Sequence, residues 1–333
     1  MAPGNLGLGT IMHLKRLLLL GVSAIALAAM SPAARAADLA DPSVPVAASL
    51  PLLTVFVEGG VNWASGDRLY PNTPLPDFFS PFAGAGGEVA AGLDYRVNDV
   101  WHVSASFRYG LSKRNIHNNN TTEVTFARPP GDGTSGPNGS IDTTDARAGT
   151  VQVRESHAVA DFAVGRDIGI GTGPAQVKLG LRYADLSAKI SGPGVAYLHS
   201  DLTSLNSTDN AYLKSRFQGL GPRVAVEGSM PISGQWGIDY GAGAAYLFAL
   251  KRDRTFSTEE DGTITQSDKK GVVNLDASLA LTYNFTPTTK VAVGYRADAY
   301  FDALPGIDFT KVGGGADTTR VYHGAFLRLT TSF

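Results

Sequence analysis

Chemistry in this chain would have to come from six histidines, 30 acids and 28 bases, because it contains no cysteine. Without thiols there is no disulfide framework, no cysteine zinc site and no thiol nucleophile. The histidines are scattered. His102, His117, His157 and His199 lie far apart and none makes the HExxH or HxH spacing that places two imidazoles on one metal ion. The mature chain has no Gly-x-Ser-x-Gly turn to present a nucleophilic serine. Gly169-Ile170-Gly171-Thr172-Gly173 imitates part of a dinucleotide loop, but it joins two extended segments with no helix after it, and reads as a turn. Asn120, Asn138 and Asn206 fall in glycosylation sequons and read as turn residues. No catalytic, cofactor-binding or metal residue is assigned, and no cofactor is expected.

The charges show more order than the histidines. Between Val100 and Ser112, Trp101, Val103, Ala105, Phe107, Tyr109 and Leu111 share one parity, and His102, Ser104, Ser106, Arg108 and Gly110 the other. The period is two, that of a strand with one apolar face. Val273 to Phe285 repeats it against Asn274, Asp276, Ser278, Thr282 and Asn284. Val291 to Phe301 repeats it with Arg296 and Asp298 on the polar face. The acids Glu58, Glu88, Asp94, Asp161, Glu227, Asp239, Asp276 and Asp298 all take the polar parity. So do the bases Arg96, Arg108, Lys178, Arg182, Arg223, Arg296 and Arg328.

Ten such strands are expected, over 52–64, 85–97, 100–112, 151–166, 175–190, 212–229, 235–250, 271–285, 290–301 and 321–333. The fourth and sixth alternate less cleanly, and Pro222 suggests a bulge in the sixth. The connections alternate in length. Asn98–Asp99, Asp167–Pro174, Met230–Gly234 and Thr286–Thr289 are short. Ser65–Gly84, Lys113–Thr150, Ser191–Ala211, Lys251–Lys270 and Asp302–Arg320 are long and polar. Short turns on one side and long loops on the other predict an all-β fold: a closed, up-and-down, antiparallel transmembrane barrel of about ten strands.

Several features favour a membrane over a soluble barrel, which would turn its apolar face inward. Charges stand at mid-strand on the polar face. Trp101 and Trp236 follow short turns, while Tyr109, Tyr246 and Phe301 lie near the far ends of apolar faces, as an interfacial girdle requires. Phe333 closes the last alternating strand and resembles an address for the outer-membrane assembly machinery. A closed sheet is also obligatory in lipid, where each unpaired N–H or C=O would cost several kcal/mol.

The chain begins with the pattern of an export signal. Lys15 and Arg16 precede the apolar run Leu17–Ala29, Pro32 breaks it, and Ala34-Arg35-Ala36 suits signal peptidase. Residues 1–36 are expected to be a signal peptide, with 1–11 an over-long start ahead of Met12. Residues 37–51 form a flexible lead, and 52–333 the barrel with five long extracellular loops. Removing Lys15, Arg16 and Arg35 from 28 bases leaves 25 against 30 acids, a balance of −5, so no nucleic-acid partner is expected. The expected location is the outer membrane of a Gram-negative bacterium.

The expected interior lining is Glu88, Asp94, Arg96, Arg108, Lys178, Arg182, Arg223, Asp239, Asp276, Arg296, Asp298 and Arg328. It reads either as a water-filled passage whose charges set ion preference or as a paired network holding a narrow barrel. Inward glycines (Gly92, Gly110, Gly180, Gly241, Gly243, Gly294) leave room for water and favour the passage. The stretches Ser215–Gly234 (SRFQGLGPRVAVEGSMPISG), Glu155–Gly171 (ESHAVADFAVGRDIGIG) and Val177–Ser187 (VKLGLRYADLS) resemble the pore-forming major outer membrane protein family first described in Legionella. The resemblance implies a surface-exposed pore for ions or small solutes, with adhesin duties for its loops, and supplies no catalytic residue. The alternatives are a surface adhesin or receptor whose loops bind a host ligand, and a barrel-embedded hydrolase of the omptin type. Outer-membrane lipid is a partner in every case.

Overall fold

The computed structural model describes residues 51–67, 83–118, 122–127, 141–146, 149–168, 174–193, 210–258, 262–307 and 315–333. The export signal, the Gly169–Gly173 turn, His199 and the three sequons lie outside these residues.

Thirteen strands are described: β1 (Leu53–Gly66), β2 (Ala85–Arg96), β3 (Trp101–Asn118), β4 (Thr122–Ala127), β5 (Ile141–Ala146), β6 (Gly149–Asp167), β7 (Ala175–Pro193), β8 (Asn210–Ser233), β9 (Trp236–Thr258), β10 (Gly262–Ser267), β11 (Val272–Asn284), β12 (Thr289–Ile307) and β13 (Gly315–Ser332). Ten of them form one antiparallel ring in the order β9-β11-β12-β13-β1-β2-β3-β6-β7-β8, which the β8–β9 pairing closes. These ten match the ten segments expected from alternation. β4 pairs β5, and β10 extends β9; both additions belong to long connections.

Closure brings the chain ends together. Glu58 of β1 faces Arg328 of β13, the Phe333 amide donates to the Leu53 carbonyl, and Leu52 and Leu53 donate to the Phe333 carbonyl. No sheet edge is left at this seam, as lipid demands. At the short turns, Asn98 Oδ1 accepts from the amides of Val100 and Trp101, and Thr286 Oγ1 accepts from that of Thr289. The β8–β9 turn is tighter than expected. β8 runs on to Ser233, and only Gly234-Gln235 turn, with Gly234 at φ 56° where glycine is favoured.

The expected bulge at Pro222 is not there. Pairing to β9 keeps one register from Gly219 to Pro231; the extra residues flank that stretch, Leu250 on the opposite strand and Ile232 beside the turn. Proline only forfeits a donor, so it can sit in a strand without shifting it. A larger irregularity lies in β12, where Phe301, Asp302 and Ala303 oppose the single residue Thr319 of β13. Asp302 there adopts φ 56°.

The outer wall is apolar, with Val89, Phe107, Phe162, Leu179, Leu181, Phe248, Leu279, Val293 and Leu327 all exposed. Trp101 and Trp236 flank it at the short-turn end, and Tyr109 and Tyr246 lie further along the strands, also exposed.

The barrel interior as candidate functional site

Because successive side chains alternate across the sheet, each strand delivers every second residue to the interior. All twelve charges assigned inward from parity stand on this interior wall, and each is ion-paired. Arg182 of β7 binds Asp161 of β6 through Nη2 at 2.6 Å, Asp276 of β11 at 2.8 Å and Asp298 of β12 at 3.6 Å. Arg223 of β8 binds Asp276 at 2.7 Å. Arg108 of β3 reaches Asp298 at 2.7 Å. Arg296 of β12 binds Glu58 at 2.6 Å and Glu88 at 3.1 Å, and Arg328 shares Glu58 at 2.8 Å. Nearer the short turns, Lys178 binds Asp94 at 3.3 Å and Glu227 at 2.8 Å, Arg96 binds Asp167 at 3.4 Å, and Lys290 binds Asp239 at 2.7 Å.

Ring order shows that several of these pairs cross the lumen. β3 and β12 are separated by β2, β1 and β13, so the Arg108–Asp298 pair joins opposite walls. Arg182–Asp298 and Arg320–Glu155 do the same between β7 and β12 and between β13 and β6. A ten-stranded barrel is narrow enough for this, being only slightly wider than the eight-stranded kind that side chains fill. The interior is therefore divided in two at this layer.

On the short-turn side lies a cavity of about 470 Å³. Charged groups of both signs line it, with the cationic heads of Arg296 and Arg328 resting over the Phe326 ring at 4.8 and 5.0 Å. On the long-loop side apolar side chains surround the buried Arg320–Glu155 pair. Leu186 and Ile190 of β7, Leu213 and Phe217 of β8 and Leu247 of β9 are fully buried and pack with Val151 and Val153 of β6. Beyond the β12 bulge the strand turns inward onto this cluster, so Ala303 and Leu304 are 0% exposed. Ser215 Oγ donates to the Pro305 carbonyl, and Arg252 Nε to that of Ala303. Arg252 also pairs with Asp268 and Asp317 at the rim, and Lys270 pairs with Asp317 at 2.6 Å. Partial burial pushes the Asp317 carboxyl up, but hydrogen bonds from Lys270 and Arg252 outweigh it and hold the group below its ordinary range. The same bond raises the Lys270 ammonium.

Sequence reasoning missed this apolar layer and its latch, although a signal for it existed. In 151–166 and 212–229 the alternation is blurred because the inward positions of the long-loop half are themselves apolar, as expected of strands buried on both faces. The inward glycines also serve differently from the expectation. A Cβ on Gly92 would run into the Phe56 ring, and one on Gly110 into the His157 imidazole. These glycines make room for neighbouring side chains rather than for water.

The histidines take structural partners. His102 lies between Asp94 at 2.7 Å and Asp167 at 3.1 Å, and His157 Nε2 meets Glu88 at 2.8 Å. Among the described residues no group of histidines and acids suits a metal ion.

The family model described as Legionella pneumophila major outer membrane protein precursor matches residues 116–332. No curated protein sequence matches the chain. Among solved structures, the outer membrane protease OmpT from Escherichia coli is similar at a TM-score of 0.51 and 12% identity, over 85% of this chain and 97% of that one. A major outer membrane protein from Thermus thermophilus aligns at a TM-score of 0.35 and 12% identity, over 84% of this chain and 99% of that one. At such identities the likeness to the protease shows the barrel fold alone.

Proposed function

The chain belongs to the Legionella pneumophila major outer membrane protein family and resides in the bacterial outer membrane, and on that premise we propose that it forms a passage for ions or small solutes, here in a closed conformation. The observation that carries this reading is the charge-lined cavity of about 470 Å³, which reaches the side-chain ion pairs of Arg108, Arg182 and Arg223. Opening requires the Arg108–Asp298 contact to separate and the segment after the β12 bulge to swing out, while the strand ladders stay intact. Signs along the wall are mixed, so the preference between cations and anions is weak.

In this reading the long connections face outward, the short turns face the periplasm, and residues 1–36 are removed on export with Ala37 as the first mature residue. Phe333 addresses the chain to the assembly machinery. In this reading the protein is not an enzyme, a view supported by His102 lying between Asp94 and Asp167, His157 meeting Glu88, and the rim acids Asp268 and Asp317 pairing with Arg252. Its loops serve a second role as an adhesin or receptor surface, favoured by the length of β8 and β9. These strands run 24 and 23 residues, where spanning a bilayer takes about 9–11.

Planar-bilayer recording of refolded protein tests the passage. The wild type should show small, infrequent openings. Arg252→Ala, which releases the latch, should raise the open fraction at least tenfold. Arg182→Ala combined with Arg296→Ala removes two bases and should move the reversal potential in a salt gradient toward cation preference. If neither the wild type nor Arg252→Ala conducts at any voltage, the passage reading fails and the adhesin reading stands in its place.

A further inference from the structure

Above the apolar belt, the register of four neighbouring strands sets like charges directly against one another on the outer face. Lys113 of β3 pairs with Arg154 of β6, Arg154 with Lys189 of β7, and Lys189 with Lys214 of β8. Lys113, Arg154 and Lys189 are exposed and Lys214 is half-buried. Like charges placed opposite each other across a ladder destabilise it, and here three consecutive pairs do so. Among the described residues none of the four makes an ion pair. Two acids share that face: Asp185 is taken by Arg216 at 2.7 Å, and Asp253 of β9, opposite Arg216, lies 3.9 Å from Lys251. Lys189 is nonetheless held in place, its ammonium 4.6 Å above the Tyr212 ring.

We propose that this row, Lys113-Arg154-Lys189-Lys214, is a docking site for the phosphorylated sugar head group of an outer-leaflet glycolipid. Position and charge select that occupant. Neighbouring strands stand about 4.8 Å apart, so four cations span roughly 14 Å, the scale of a two-sugar head group with a phosphate at each end. Strands in a barrel are tilted by about 35–45°, so the row climbs as it crosses them. On β3, Lys113 is the next outward residue after Leu111, within reach of acyl chains. On β7, Tyr183, Asp185 and Ser187 separate Lys189 from the belt residue Leu181. A ligand that follows this climb must be rooted in the bilayer and carry anionic charge well above it. A glycolipid does both, and Arg154 supplies the planar fork suited to phosphate. The inference rests on the outward orientation of the long connections.

The test uses refolded full-length protein in phosphatidylcholine vesicles, with thermal unfolding followed by loss of the compact electrophoretic form. Diphosphorylated lipid A should raise the unfolding temperature of the wild type, and dephosphorylated lipid A should not. Arg154→Gln combined with Lys189→Gln should need at least tenfold more lipid A for the same shift. Arg166→Gln, an outward base at the short-turn end of β6, should behave as wild type. If the double variant does not fold, the wild type in about 1 M salt decides, because charges are screened there within about 3 Å and the lipid A shift should largely vanish. The proposal is overturned if the double variant responds like wild type, if salt leaves the shift unchanged, or if soluble polyphosphate reproduces it. The last outcome would mark a general polyanion site. A reversed orientation would show separately, as protease cleavage at the short turns of intact cells.

Discussion

At the residue scale, the interior is governed by the rule that a buried charge must keep its partner. Arg182 is 2% exposed and serves Asp161, Asp276 and Asp298 at once. Arg182→Ala leaves Asp161 with only Arg223 at 3.8 Å, while Asp276 keeps Arg223 and Asp298 keeps Arg108, and should cost about 3 kcal/mol. Arg328, its side chain 22% exposed, shares Glu58 with Arg296, so Arg328→Ala leaves that acid paired. Its loss should be markedly smaller. Denaturant titration of both variants in one detergent checks the ranking; equal losses would mean that the layer is solvated and does not bridge the walls.

At the element scale, each strand separates two solvents, and parity decides which solvent a side chain meets. Leu279 is 57% exposed on the outer wall of β11, and Ser278 beside it lines the cavity. Leu279→Arg should cost about 2–4 kcal/mol near the bilayer midplane. Ser278→Arg enters a cavity with carboxylates in reach and should cost much less. Folding yield into lipid vesicles reads the difference. β12 breaks the even pattern, because its bulge redirects backbone into the lumen. Alternation marks a face and cannot report that a strand leaves the wall.

At the scale of the whole molecule, the asymmetry of the connections sets orientation. Protease added to intact cells should cut within residues 113–150 and spare the Gly234-Gln235 turn. Cutting at the turn alone would reverse the topology, placing the basic row at the inner face and the cavity mouth at the outer one.

The sequence by itself determined the ten strands, the closed barrel and the inward parity of twelve charges. Each of these follows from a local period of two and from the demand of lipid for a satisfied backbone. It also placed Trp101 and Trp236 beside short turns. Tertiary structure alone decided what those charges do. Arg108 and Asp298 are remote in sequence and sit on opposite walls, so their contact depends on ring order and barrel width, which no local pattern encodes. The same holds for the segment from Ala303 to Pro305, which reaches the β8 and β9 wall because three residues were fitted opposite one. The basic row is of this kind too. Lys113, Arg154, Lys189 and Lys214 are scattered along the chain, and only the ladder register sets them side by side.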